Sequence, residues 1–217
     1  YTSAQGDLET RQAIADYLNN TYETNFKADN LYMTMGAAAS LSIAFKALTS
    51  SPDDEIIAIA PFFPEYRVFV TAAGAKFNVV APDTKNFQIN FDEFEKLVNK
   101  NTKAVIINSP NNPSGAVYSE QTIKKLADFL SKKSEEYGTH IFIITDEPYR
   151  EIVYDGVEVP YVTKYYNDTI VCYSYSKSLS LPGERIGFIL VPDEAYESKK
   201  LYAAVCGAGR ALGYVCA

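Results

Sequence analysis

Short apolar runs recur along this chain, each followed by a cluster of turn-forming residues and then by a segment with helical periodicity. The runs occupy residues 31–35, 56–60, 75–81, 104–107, 141–144, 169–173 and 186–191. Most are rich in Val and Ile and lack polar alternation, the pattern of strands covered on both faces of a sheet. Helix candidates lie between them. The segment 8–22 places Ile14, Tyr17, Leu18 and Thr21 on one face, and Leu41, Ala44, Phe45 and Leu48 form a second stripe. Ser119 is placed to cap a third helix, with Ile123, Leu126, Ala127 and Leu130 inward and Gly138 as its stop. This alternation predicts an α/β domain of three layers, α/β/α, around a mostly parallel sheet of about seven strands.

At 217 residues the chain can bury one sizeable core. Its net charge of -7, with no offsetting basic cluster, argues against binding nucleic acid. No apolar run approaches the roughly 20 residues of a membrane span. The cysteines, Cys172, Cys206 and Cys216, are odd in number and lack metal-ligand spacing, so the expectation is a reduced, cytoplasmic protein without a metal site. Tyr1 begins the chain without a methionine, and Ala217 ends it inside an apolar stretch, which reads as a piece of a longer protein.

In parallel sheets ligands bind beyond the carboxyl ends of the strands, so the residues after each run carry the functional information. Residues 31–35 lead into Gly36-Ala37-Ala38-Ala39-Ser40, the start of a helix. Residues 104–107 lead into Asn108-Ser109-Pro110-Asn111-Asn112-Pro113-Ser114-Gly115. Residues 141–144 lead into Thr145-Asp146-Glu147-Pro148-Tyr149, and 169–173 into Ser174-Tyr175-Ser176-Lys177, with Arg185 eight residues beyond the lysine. Each piece alone has an ordinary explanation: Asn-Pro-Ser-Gly makes turns, an aspartate caps helices, and a lysine is usually solvated. Together they bring an amide, a carboxylate, an amine and a helix N-terminus toward one crevice. His140 precedes a strand and is expected to be structural.

Asn112-Pro113-Ser114-Gly115, Asp146-x-x-Tyr149 and Ser174-x-x-Lys177 followed by Arg185-x-Gly187 resemble, in order and spacing, the fold type I aminotransferases of the aspartate aminotransferase family. Tyr1 with Gly6 and Leu8-x-x-Arg11 is similar to the segment before the first large-domain helix of that family, and Pro61-Phe62-Phe63-x-x-Tyr66 to its aromatic turn. The resemblance spans essentially the whole chain. It implies that residues 1–217 are a pyridoxal-phosphate-binding large domain, with the small C-terminal domain and the N-terminal arm outside the chain.

The resemblance also implies roles, with pyridoxal 5'-phosphate as cofactor and an amino acid and a 2-oxo acid as substrates. Lys177 would form the Schiff base; an ordinary lysine, of pKa about 10.4, is overwhelmingly protonated at neutral pH, so such a site must favour the free amine. Asp146 would face the pyridine nitrogen. An ion pair near 4 Å at an effective dielectric of about 20 is worth roughly 4 kcal/mol, enough to keep that nitrogen protonated. Asn112 and Tyr149 would hydrogen-bond the phenolic oxygen, and Phe63 would stack on the ring. Gly36 and the amides of Ala37 and Ala38, with Ser174 and Arg185, would hold the phosphate. Ala38 departs from relatives that carry a polar side chain there, leaving only its backbone as a ligand. Tyr1 matches a tyrosine that reaches the phosphate of a neighbouring subunit, which implies a homodimer.

Other readings stay open at this point. Ser174-x-x-Lys177 is also the spacing of serine acylases, although no Ser-Asp-Asn or Lys-Thr-Gly partner motif accompanies it. A pyridoxal-phosphate carbon–sulfur lyase would use the same cofactor residues, and a non-catalytic sensor domain could share the fold.

Overall fold

The structure, a computed structural model, describes residues 3–214; Tyr1 and Cys216 lie outside them. In chain order the elements are α1 (Leu8–Tyr22), β1 (Leu31–Thr34), α2 (Ala37–Leu48), β2 (Glu55–Ile59), α3 (Glu65–Ala73), β3 (Lys76–Val80), α4 (Phe91–Leu97), β4 (Thr102–Asn108), α5 (Glu120–Tyr137), β5 (Phe142–Asp146), β6 (Thr169–Ser174), α6 (Tyr175–Ser178), β7 (Gly187–Leu190) and α7 (Ser198–Ala211). All seven apolar runs are strands of one sheet, ordered β1-β7-β6-β5-β4-β2-β3. Pairings among β2 to β6 are parallel, and β7 runs antiparallel to both of its neighbours. The chain leaves β2 for the β3 edge and returns to β4 on the other side of β2, creating the switch point at which such sheets open a crevice.

Alternation along the strands sends successive side chains to opposite faces. Ile56, Ala58, Ala104, Ile106, Ile144, Ile170 and Cys172 pack under α2, α3 and α7. Ile57, Ile59, Val105, Ile107 and Ile143 pack under α4 and α5, while Val171, Tyr173, Phe188 and Leu190 meet α1. Helices therefore cover both faces of the sheet, as expected for three layers. By the same parity Asn108, Asp146 and Ser174, the last residues of β4, β5 and β6, belong to the α2 and α3 face.

Helix ends follow local chemistry. The Ser119 hydroxyl accepts from the Thr122 amide, and Gly138 closes α5 at φ 63. The inward face of α1 differs from the expected one: Arg11, Ile14, Ala15 and Leu18 are buried, whereas Tyr17 and Thr21 are exposed. Arg11 lies inward because its guanidinium donates to the carbonyls of Gly6 and Ala28, and this turns the helix so that Tyr17 faces out. On α2, Leu41, Ala44 and Phe45 are buried as expected, and Leu48 is only half-buried. His140 is structural: its Nδ1 lies 2.8 Å from an Asp168 carboxylate oxygen and its ring stacks on Tyr196.

Two glycines should respond in opposite directions. A Cβ on Gly187 would sit 2.3 Å from the Tyr173 carbonyl oxygen and 2.9 Å from the Gly36 Cα. Gly187→Ala should therefore destabilise by about 1–3 kcal/mol through overpacking. Gly207, inside α7 with open space around it, should gain roughly 0.5–1 kcal/mol as Gly207→Ala. Urea titration of both variants beside the parent checks the pair, and equal shifts would contradict the packing described.

Candidate active site

Strand ends that terminate in register build the site. Asn108 of β4 pairs with Asp146 of β5, and Asp146 pairs with Cys172 of β6. The Asn108 amide clamps this edge in two directions. Its Nδ2 donates to the Asp146 carbonyl at 2.8 Å, and its Oδ1 accepts from the Asn112 amide at 2.7 Å. Asn111 stiffens the following loop by donating to the Pro61 carbonyl and accepting from Ser114. The Asn108 side chain thus ties the backbone of Asn112 to that of Asp146.

A cavity of about 350 Å³ lies against these ends, lined among others by Ala37, Ala38, Phe63, Asn112, Asp146, Tyr149, Ser174, Lys177 and Arg185. Nine residues singled out from the sequence therefore share one space. Gly36 is the N-cap of α2 at φ 88, a region that favours glycine, and a Cβ there would come within 2.8 Å of the Arg185 guanidinium. Its bare backbone lets Arg185 lie against the helix start. Arg185 donates to the carbonyls of Pro182 and Met35, which aims it across that terminus. The first α2 bond joins the Ser40 amide to the Gly36 carbonyl, so the amides of Ala37 and Ala38 precede the ladder and point toward the cavity end of the helix. Lys177 sits on α6, directly after β6, and is exposed.

The electrostatics centre on Asp146. Its carboxyl is buried, Oδ2 accepts a 2.5 Å hydrogen bond from the Tyr66 phenol, and Oδ1 is buried with no protein donor. Burial pushes its pKa up to about 7, opposed by the Tyr66 hydrogen bond and assisted by the neighbouring Glu147 charge. Tyr66 in turn is held well above the usual phenol range by burial and by the Asp146 charge. Burial and Asp146 also raise Tyr149, while a hydrogen bond with the Asn112 side chain pulls it back. One acceptor thus lacks a protein donor on a carboxyl that the protein satisfies on one side only, in a residue that lines the cavity.

Tyr66, Asn108, Glu147 and Arg150 received no role from the sequence. Tyr66 could have been found by its helical spacing from Phe63, which puts both aromatics on one turn. Asn108, as the last polar residue of an apolar run, carried the same strand-end signal as Asp146. Ser174 is 3% exposed, its Oγ donates to the Ser176 hydroxyl and accepts from the Ser176 amide, and it caps α6. A serine engaged in this way is a poor nucleophile, which removes the main support for the acylase reading.

Comparison with known proteins agrees with this arrangement. The model of the family "Aminotransferase class I and II" matches residues 1–208. An aspartate aminotransferase of Pyrococcus horikoshii is 32% identical over 95% of this chain and 52% of its own length. A probable N-acetyl-LL-diaminopimelate aminotransferase of Bacillus subtilis is 33% identical over 89% of this chain and 48% of its own. Among solved structures, an amino transferase from Eubacterium rectale superposes with a TM-score of 0.99 at 73% identity, covering 100% of this chain and 55% of that one. The aspartate aminotransferase of Thermotoga maritima superposes with a TM-score of 0.87 at 32% identity, over 99% and 55%. The chain thus spans about half the length of the proteins it matches. With strand ends, helix start and lysine assembled around one cavity, and with a family match running nearly end to end, this chain belongs to the class I and II aminotransferases.

Proposed function

We propose that the protein to which this chain belongs is a pyridoxal-phosphate-dependent aminotransferase that moves an amino group between an amino acid and a 2-oxo acid. The observation that carries the reading is the buried Asp146 carboxylate with an unpartnered Oδ1, in one cavity with Lys177 and the α2 N-terminus. An orphaned carboxylate oxygen suits a cationic N–H donor, and a helix start beside an arginine suits a phosphate. A cavity of about 350 Å³ suits a substituted pyridine. The residues present fit the cofactor.

In this reading Lys177 would supply the amine that holds the cofactor and would serve as the base for the substrate's α-proton. Asp146 would pair with the ring nitrogen, Asn112 and Tyr149 would hold the phenolic oxygen, and Phe63 would cover a ring face. The amides of Ala37 and Ala38, with Arg185 and with Ser174 once its hydroxyl turns from Ser176, would bind the phosphate, Gly36 giving Arg185 room. When bound, the cofactor supplies an electron sink for the charge left as the α-proton departs. Tyr66 holds Oδ2 of the Asp146 carboxylate, which would leave Oδ1 for the ring nitrogen. Tyr1 would reach the phosphate of a second subunit in a homodimer. Cys172 and Cys206 are free thiols, in accord with a reducing, cytoplasmic location. Among the described residues no helix is long and apolar enough to cross a membrane.

Four experiments test this. Borohydride reduction of the cofactor-loaded full-length protein, followed by peptide mapping, should place the label on Lys177; a label on another lysine would refute the assignment. A panel of amino acids, acidic ones first in view of the relatives' names, should bleach the visible band and yield the matching 2-oxo acid. Release of a sulfur fragment instead would point to the lyase alternative.

Asp146→Ala should retain some cofactor through the phosphate donors but lose turnover by about a thousandfold, the equivalent of roughly 4 kcal/mol of charge pairing. Turnover near the parent's would remove Asp146 from the mechanism.

The fourth experiment uses the cofactor-free protein. A carboxyl with a folded pKa of about 7, raised from an unfolded 3.8, costs nothing below the unfolded value. The cost grows as pH rises between the two and is constant above the folded one. Relative to Asp146→Asn, the parent should lose stability from about pH 4 to pH 7 and then plateau, at a difference of roughly 4 kcal/mol. A difference independent of pH in denaturant titrations would mean that Asp146 is not buried as described.

A further inference from the structure

Asp146 and Tyr149 share a short turn with Glu147 and Arg150, and the two pairs face opposite ways. Asp146 and Tyr149 line the proposed cofactor cavity, while Glu147 and Arg150 line a small enclosed space beneath α1 with Ile14, Leu18, Val171 and Phe188. The side chains of Glu147 and Arg150 are 1% and 4% exposed, and Arg150 Nε donates to Glu147 Oε2 at 2.5 Å. The other Glu147 oxygen accepts from the Thr145 hydroxyl at 2.8 Å. Arg150 donates further to the carbonyls of Val159 and Pro160. Its guanidinium also sits 5.2 Å from the Tyr22 ring centre and 4.7 Å from that of Tyr161, two rings stacked on each other. Burial works against the arginine's charge, and Glu147 overcomes it, so the guanidinium stays protonated.

This pair is an expensive way to hold a fold. Two desolvated charges are often no more stabilising than apolar residues of the same volume, so their presence speaks for geometry before stability. The geometry here is specific. A guanidinium is planar and rigid: its N–H groups reach Glu147, just past β5, and the 159–160 backbone, while its carbon lies over the ring of Tyr22 in the last turn of α1. Between the two charged residues lie Pro148 and Tyr149, and Asp146 comes immediately before them.

We propose that the Glu147–Arg150 pair is a positioning device, which locks the far side of this turn so that the Asp146 carboxylate and the Tyr149 phenol keep one orientation toward the cavity. The identity of what they face rests on the pyridoxal phosphate reading; the mechanical role does not. The groups facing Asp146 are Tyr66 from α3, Cys172 from β6, and Glu147 and Tyr149 from its own turn. Arg150 acts through the turn and touches neither substrate nor cofactor.

Variants that conserve charge separate position from electrostatics. Arg150→Lys keeps the cation but loses the fork, and Glu147→Asp keeps the anion but shortens its reach by one methylene. In the cofactor-free full-length protein the Asp146 carboxyl can be titrated by infrared difference spectroscopy against Asp146→Asn. In the loaded protein the pH midpoint of the visible band and the rate of cofactor loss are read. Each variant should shift both midpoints by at least about half a pH unit and speed cofactor loss by roughly tenfold, because a displacement near 1 Å is enough to spoil such contacts. A merely structural pair would lower the unfolding midpoint and leave both titrations in place. Cooperatively folded Arg150→Lys and Glu147→Asp proteins with parental titrations would overturn the proposal. If one variant does not fold, the other decides. If wild-type Lys177 takes no borohydride label, the cofactor reading fails, and the Asp146 titration in the cofactor-free protein still tests the positioning role.

Discussion

Parallel strands that stop in register are the constraint on which this site depends. β4, β5 and β6 run side by side in one direction, with Asn108 opposite Asp146 and Asp146 opposite Cys172. A one-residue slip in a strand exchanges its two faces, and here it would send Asp146 under α1 and Glu147 into the cavity. The apolar alternation beneath prevents that slip. Ile144 and Ile106 are committed to the α2 and α3 face, Ile143 and Val105 to the opposite one, and all four are fully or almost fully buried. Hydrophobic packing in the middle of the sheet thereby sets which acidic residue lines the cavity at its edge.

The two carboxylates at the end of β5 show how environment separates like groups. Glu147 is buried beside a permanent cation and a hydroxyl donor, so its charge is met within the protein. Asp146 is buried with one phenol donor and one open oxygen, and its proton affinity rises accordingly. The protein therefore keeps one satisfied acid and one with an open acceptor, one residue apart in sequence. A cationic ring nitrogen would complete the second set, which is why the unpartnered Oδ1 carries more weight than the motif around it.

Much of this was legible in the sequence. Seven apolar runs became seven strands, and the caps at Ser119 and Gly138 stand where their chemistry put them. The residues gathered from strand ends share a cavity because strand ends in a parallel sheet share an edge. What failed on α1 failed for a physical reason. Helical periodicity counts apolar residues, and Arg11 buries a charged one by capping two carbonyls, which rotates Tyr17 outward. Tyr66 and Asn108 went unassigned because each acts on Asp146 from 80 and 38 residues away, and no local pattern expresses that separation.

The sequence by itself determined the alternation of strand and helix, the faces of the central strands, and the kinds of group delivered to the carboxyl edge. Those follow from local properties: side-chain volume, backbone propensity and the period of hydrophobicity. Only the tertiary structure decided strand order, the reversal of β7, and which partner each polar group meets. It also decided that Asp146 keeps an open acceptor while Glu147 does not. The physical reason is that burial and hydrogen-bond satisfaction belong to a place in the folded chain, built from segments far apart in sequence, and two adjacent acids of nearly equal intrinsic strength acquire different chemistry only once those segments meet.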